Sequence, residues 1–156
     1  LIKVHKRLLD EGLKHKIIII GDGYDFKNID NLRKSLKVED TLKMIGFQQN
    51  PYPYLKQADF FILSSRYEGY STILFEALIL KKPIVATEVS GAREILQDGK
   101  LGMIVENSEE GIYLGMKEFL QNSEIPAQYM KKMNEEELPF SLTNSVNLLT
   151  KILDSL

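Results

Sequence analysis

Glu68 and Glu76 are the two residues of this chain whose type and spacing can do chemistry together. They lie in Arg66-Tyr67-Glu68-Gly69-Tyr70-Ser71-Thr72-Ile73-Leu74-Phe75-Glu76. Before them, Phe60 to Leu63 reads as a buried strand; after them, an apolar stretch ending near Lys81 reads as a helix. Gly69 sits between bulky residues at the turn, where a missing Cβ lets backbone N–H groups approach a ligand closely. A helix starting near Ser71 or Thr72 offers its first N–H groups and the positive end of its dipole to an anion. Glu76 lies one turn further on, roughly 6 Å along the axis, on the face shared with Thr72. A phosphate at the helix start would thus have Glu76 on one side and Glu68 on the other. That arrangement suits a nucleotide-sugar, with one carboxylate for the ribose hydroxyls and one for the sugar to be transferred. The residues alone leave a second reading open, in which Glu68 is solvated and Glu76 pairs with Lys81 or Lys82. A buried, unpaired Glu76 is excluded by its cost.

These residues need rigid elements to hold them, and the pattern supplies strands alternating with helices. Leu1, Ile2, Val4, Leu8 and Leu9 recur at helical spacing, and Gly12 closes that helix. Lys16 to Ile20 is a β-branched run expected to be a strand buried on both faces. It ends in Gly21-Asp22-Gly23, a tight turn at the carboxyl end of a strand, where open α/β sheets place their ligands. The third glycine of a dinucleotide fingerprint is absent, so NAD binding is not expected. Phe26 to Leu36 is an amphipathic helix with Ile29, Leu32 and Leu36 inside. Leu42 to Phe47 is a short strand, Gln48 to Pro53 a proline-restricted loop and Tyr54 to Ala58 a short helix. Asp59 to Ser64 is expected to be the central strand. After the motif helix come a strand at Pro83 to Thr87, a helix at Ala92 to Leu96, and a turn at Asp98-Gly99. A last strand at Gly102 to Val105 and a helix at Glu109 to Leu120 follow. Two more helices are expected from Pro126 to Leu156, broken at Leu138-Pro139-Phe140. Ser141 to Asn144 would cap the last, whose Val146, Leu149, Ile152 and Leu153 form a core-facing stripe. The alternation predicts a parallel sheet covered on both faces.

Composition bounds the rest. The chain has 156 residues, 44% apolar and 27% charged, with a net charge of -2 and no cysteine. One domain with one core is expected. The charge gives no general pull toward nucleic acid, and no disulfide or thiolate metal site can form. No apolar run approaches the roughly 18 to 20 residues of a membrane span. His5 and His15 have no metal-ligand spacing and are expected on the surface. Asp22 and Arg66 could each pair with a neighbouring charge as readily as touch a ligand, and the same holds for Arg93 with Glu94.

The Glu-x7-Glu spacing, set in Tyr-Glu-Gly-Tyr-Ser, resembles the donor-site motif of retaining glycosyltransferases of the GT-B fold, the glycosyl transferases group 1 type. The resemblance extends over about residues 1 to 120, in order and spacing. Upstream it includes Ile19-Ile20-Gly21-Asp22-Gly23, Met44-Ile45-Gly46-Phe47 and Ala58 to Ser65. Downstream it includes Lys82 to Thr87, Ser90 to Ile95 and Asp98 to Val105. It implies an α/β, Rossmann-like parallel sheet with helices on both faces, the C-terminal, donor-binding half of a GT-B enzyme. Residues 1–156 would be a single nucleotide-sugar-binding domain, a fragment without its first strand and loop and without the N-terminal acceptor domain.

The resemblance also implies roles. Glu76 would bind the ribose hydroxyls. Glu68, the catalytic candidate, would contact hydroxyls of the donor sugar and position it, not attack it. N–H groups near Gly69, Tyr70, Ser71 and Thr72 would hold the diphosphate. Gly21 and Gly23 would line the phosphate side, and Gly46, Phe47 and the loop after them would sit near the base. Relatives often carry Phe then Gly or Pro where this chain has Tyr70-Ser71, a departure that bears on sugar choice. The donor would be a UDP-sugar or another NDP-sugar, and the acceptor a saccharide or lipid-linked sugar held by the absent domain. Metal-independent chemistry with no cofactor is expected, since such folds use basic residues and helix dipoles at the diphosphate. An Arg and a Lys of that kind would precede Leu1, so the chain alone is expected to bind nucleotide weakly and transfer nothing. The setting would be bacterial capsule, exopolysaccharide or lipopolysaccharide synthesis, in the cytoplasm or peripherally at the inner membrane face. A nucleotide-sugar epimerase of the same fold and a non-catalytic binding module are the alternatives.

Overall fold

The structure is a computed structural model, and it describes residues 1–69 and 71–136. Tyr70 lies outside the described residues. So do the expected break at Leu138-Pro139-Phe140, the Ser141-to-Asn144 cap and the stripe from Val146 to Leu153.

Strands and helices alternate as the sequence predicts. They run α1 (Ile2–Asp10), β1 (Ile17–Ile19), α2 (Phe26–Ser35), β2 (Leu42–Met44), α3 (Tyr52–Gln57), β3 (Phe61–Leu63) and α4 (Thr72–Ile79). Then follow β4 (Ile84–Thr87), α5 (Ala92–Ile95), β5 (Met103–Val105), α6 (Glu109–Gln121) and α7 (Glu124–Glu135). Every strand pairing is parallel. Ile17 stands opposite Leu42, Phe61 opposite Ile84 and Val85 opposite Met103.

The parallel sheet is as expected, and two details within it are not. The strands form two hydrogen-bonded sets, β1-β2 and β3-β4-β5, and no ladder joins β1 to β3 among the described residues. Within the second set the centre is β4, not β3. All four β4 residues are buried, which is the signature of a strand covered on both faces. β1 was expected to show that signature, yet Ile18 is 51% exposed while Ile17 is buried. The β-branched run reports strand propensity, and the cover over each face is decided by elements far away in sequence.

Two apolar clusters lie under the helices. One joins Leu63, Leu74, Leu78, Ile84, Ile95 and Leu101 beneath α4 and α5. The other joins Val4, Leu8, Ile17, Leu42, Ile112 and Met116 between α1, the first strand pair and α6. Helix α6 can lie close on the second sheet because Gly115 has no Cβ. One added there would stand 2.8 Å from a methyl of Val85 and of Val105, inside contact distance. Ser108 caps α6, its hydroxyl accepting from the Gly111 N–H at 2.9 Å. Glu109 and Glu110 complement the dipole in the first turn.

His5 corrects the surface expectation: it is fully buried. Its Nδ1 lies 2.7 Å from His15 Nε2, and its Nε2 lies 2.9 Å from Thr41 Oγ1. His15 Nδ1 donates to the Leu13 carbonyl at 2.8 Å. With its proton on Nδ1, His15 presents Nε2 to the His5 Nδ1–H, and the single proton of the Thr41 hydroxyl lies between His5 Nε2 and the Val38 carbonyl, the latter at 3.3 Å. Burial first, and then the neighbouring His15, lowers the His5 pKa from its usual value to about 4.

Candidate functional site

The loop from β3 to α4 is pinned from two sides. Buried Thr87, the last residue of β4, donates its hydroxyl to the Ser65 carbonyl at 2.7 Å. The Asn107 side-chain amide donates to the Arg66 carbonyl at 2.8 Å. Held this way, the loop points Glu68 into a cleft of about 480 Å³ shared with Arg66, Gly69 and Glu88. Glu68 is half-buried, and its Oε2 accepts from the Ser65 hydroxyl at 3.2 Å. Its other oxygen has no hydrogen-bond partner among the described residues.

The charges around the cleft sort themselves. Arg93 pairs with Glu88, Nε to Oε1 at 2.7 Å, and reaches Asp98 at 3.8 Å; it does not pair with Glu94. Glu88 holds the Arg93 pKa above its ordinary value, first through that hydrogen bond. Arg66 is exposed and lines both this cleft and a second one, of about 420 Å³, beside Leu1, Asn107 and Glu109. It makes no ion pair among the described residues.

Helix α4 begins at Thr72, with Ser71 extended at the capping position and no side chain bonding the first N–H groups. Ser71 is 1% exposed, and its hydroxyl has no hydrogen-bond partner among the described residues. A serine cap normally satisfies one of those N–H groups. Here both cap and helix end keep their polar capacity in reserve, on an eight-residue helix with Thr72 exposed. Open space surrounds the point where a Cβ on Gly69 would stand, so its backbone is approachable.

Glu76 is free of the lysine pairing that the sequence left open. Lys82 Nζ instead caps the carboxyl end of α3, donating to the Lys56 carbonyl at 2.6 Å and the Ala58 carbonyl at 2.8 Å. Lys81 Nζ donates to Asn134 Oδ1 at 2.5 Å. Glu76 Oε1 accepts from the Tyr52 hydroxyl at 3.2 Å. The negative charge of Glu76 raises the Tyr52 pKa, so the phenol keeps its proton.

The glycine turns form the remaining edge. Gly21 and Gly46 have φ of 129° and 68°, a region that disfavours side chains. Gly21 N–H donates to the Gly46 carbonyl at 2.9 Å, which joins the loops after β1 and β2. Asp22 accepts from the Gly23 N–H at 2.8 Å and serves the turn. Phe47 is 74% exposed beside it.

The structure thus brings Glu68 and Gly69 into one cleft, Gly21 against Gly46, and Glu76 onto Tyr52. It gives the two carboxylates different neighbours: Glu68 is reached from the loop after β4, Glu76 from α3. Sequence reading missed Tyr52, Thr87 and Glu88. Tyr52 carried one signal, an aromatic between Pro51 and Pro53 in a loop already expected near the base. No group of three or more His, Cys, Asp or Glu side chains could hold a metal ion among the described residues. None of their helices is long and apolar enough to cross a membrane.

Parallel strands, flanking helices and ligand-accessible turns at the strand ends define a Rossmann-like domain. The chain belongs to the glycosyl transferases group 1 family, whose sequence model matches residues 1–136. A Campylobacter jejuni relative, N-acetylgalactosamine-N,N'-diacetylbacillosaminyl-diphospho-undecaprenol 4-alpha-N-acetylgalactosaminyltransferase, is 33% identical over 134 residues, 85% of this chain and 36% of the relative. The Bacillus anthracis N-acetyl-alpha-D-glucosaminyl L-malate synthase is 34% identical over 91 residues, 58% of this chain and 24% of that protein. The chain therefore spans only 24% to 36% of these curated relatives' length. Among solved structures, TarM superposes with a TM-score of 0.83 at 22% identity, over 98% of this chain and 31% of that one. Anabaena HepE in complex with UDP and glucose gives 0.82 at 18% identity, over 100% of this chain and 44% of that one. These neighbours are GT-B glycosyltransferases, and the fold is theirs.

Proposed function

We propose that this chain is the donor-binding domain of a retaining glycosyltransferase that takes a nucleoside diphosphate-sugar, a UDP-sugar foremost. One observation carries the reading: Glu76 stands clear of both neighbouring lysines, one turn beyond a helix start that no side chain caps. A diphosphate at Thr72 would be met by the unpaired N–H groups and the dipole of α4, with the Ser71 hydroxyl and the approachable backbone of Gly69 beside it. Glu76 then faces the ribose hydroxyls and Glu68 the sugar on the other side. Gly21, Gly23, Gly46 and Phe47 line the nucleoside end, and Tyr70 belongs to the same phosphate turn by sequence.

Positive charge at the leaving diphosphate is the strongest stabilisation such a site can give the transition state, and helix dipole with basic side chains serves without a resident metal. Arg66, at the lip of the Glu68 cleft and without an ion pair among the described residues, is one such charge. The solved HepE neighbour contains UDP and glucose, which supports UDP as the leaving group. The Campylobacter relative is named for a lipid-diphosphate-linked acceptor, and a Rhizobium meliloti relative for lipopolysaccharide core biosynthesis. These support a saccharide or lipid-linked acceptor, bound outside this domain, in surface-polysaccharide assembly at the cytoplasmic face of the membrane.

Titration with UDP and UDP-glucose separates the two carboxylates. Glu76→Ala weakens both ligands alike, whereas Glu68→Ala weakens only the extra affinity that the sugar confers. Equal binding of both ligands by wild type and both variants would overturn the reading.

A further inference from the structure

We infer that Tyr52 is a positioning residue for the nucleoside: its hydroxyl fixes the Glu76 carboxylate so that ribose is distinguished from a sugar lacking its diol. The inference rests on the donor-site reading above and adds to it a residue, and a selectivity, that neither the motif nor its spacing contains.

A carboxylate on a helix turns about its side-chain torsions unless something holds it. Gripping two adjacent hydroxyls requires both oxygens to face one way, and each rotamer lost on binding weakens the complex. Tyr52 supplies the hold from a separate element. Its hydroxyl donates to Glu76 Oε1 at 3.2 Å, which leaves Oε2 and a second lone pair of Oε1 for the ligand. At 3.2 Å the bond is long for an O–H donor to a carboxylate.

Helix α3 is built to keep Tyr52 in place. Pro51 occupies its capping position and Pro53 lies in its first turn, which fixes φ at both. Asn50 Oδ1 accepts from the Tyr52 N–H at 3.2 Å. At the far end, Lys82, two residues before β4, donates to the carbonyls of Lys56 and Ala58. Pinned at both ends, a six-residue helix carries one partly exposed phenol to the only carboxylate of α4. Tyr52 is 46% exposed, so core packing does not explain its place.

The test is amide-NMR titration of the 156-residue chain with UDP and with 2′,3′-dideoxy-UDP, in wild type, Tyr52→Phe and Glu76→Ala. Phe keeps the ring and removes only the hydroxyl. Wild type is expected to prefer UDP, and Glu76→Ala to abolish that preference. Tyr52→Phe should weaken UDP about three- to tenfold, the worth of one hydrogen bond, and leave dideoxy-UDP unchanged. If Tyr52→Phe weakens both ligands equally, or keeps the full preference while Glu76→Ala loses it, the role of Tyr52 is overturned and the donor site stands. If wild type binds neither ligand or shows no preference, or if Glu76→Ala preserves one, the donor-site reading falls and this inference with it.

Discussion

The hydroxyl of Thr87 lies 2.7 Å from the carbonyl of Ser65, and that bond fastens the end of β4 to the loop that carries Glu68. Thr87 is fully buried, so its hydroxyl has no water to turn to. Thr87→Val keeps the shape and removes the donor, leaving a carbonyl short of a partner. The expected cost is about 1–2 kcal/mol in urea unfolding. Amide exchange across Ser65 to Gly69 should quicken while that of β5 does not. Unchanged exchange in the loop would show that Asn107 alone holds it.

Burial of His5 makes stability depend on pH. Its pKa of about 4 in the fold lies below the usual value near 6.5 for an unfolded chain. The unfolded state therefore binds more protons between those values. Stability is complete above about pH 6.5 and falls with acid, by up to about 1.4 kcal/mol per pH unit from this group. Urea unfolding from pH 7.5 to 5 should show that slope in wild type and a flatter one in His5→Gln. The window stops short of the range where carboxylates take up protons. Equal slopes would mean that His5 is already solvated.

Much of this architecture was legible in the sequence, because periodicity and punctuation are local. Gly12, Gly21-Asp22-Gly23 and the start of α4 stand where the pattern put them. What is decided between distant residues was not legible. The surface reading of His5 failed because its partners, His15 and Thr41, are ten and 36 positions away. A lone histidine among Lys3, Lys6 and Arg7 looks solvated in one dimension. The lysine reading of Glu76 lost for the same reason, since Lys82 is claimed by carbonyls of α3 and Glu76 by Tyr52. The position of β4 at the centre of its set was equally beyond reach, since strand order is a property of crossovers.

Two glycines of α6 should respond differently from the one beside Glu68. A Cβ on Gly111 would overlap the Glu106 carbonyl oxygen, and one on Gly115 would stand 2.8 Å from Val85 and Val105 methyls. Gly115→Ala should cost about 1–3 kcal/mol through overpacking, and Gly111→Ala more, because backbone cannot turn aside. Gly69→Ala meets nothing and should leave the unfolding midpoint almost unchanged while weakening UDP. Thermal melts of the three variants check the order, and a destabilised Gly69→Ala would contradict it.

Lys82 links the two halves of the candidate site without touching ligand. Lys82→Met removes both caps from α3 and should cost about 1–2 kcal/mol. It should also weaken UDP in the same sense as Tyr52→Phe, since both loosen Glu76. A variant that loses stability but binds UDP as before would show that α3 holds its place through Leu55 alone.

The central claim is that a nucleoside diphosphate binds at the start of α4 with Glu76 on its ribose, and backbone amide NMR tests it most directly. The chain is titrated with UDP and with GDP, with Glu76→Ala as control. The account predicts shifts at Ser71 to Glu76 and around Gly46 to Tyr52 with UDP, smaller shifts with GDP, and weakened shifts in Glu76→Ala. Shifts elsewhere, or shifts at α4 that Glu76→Ala leaves untouched, would contradict it.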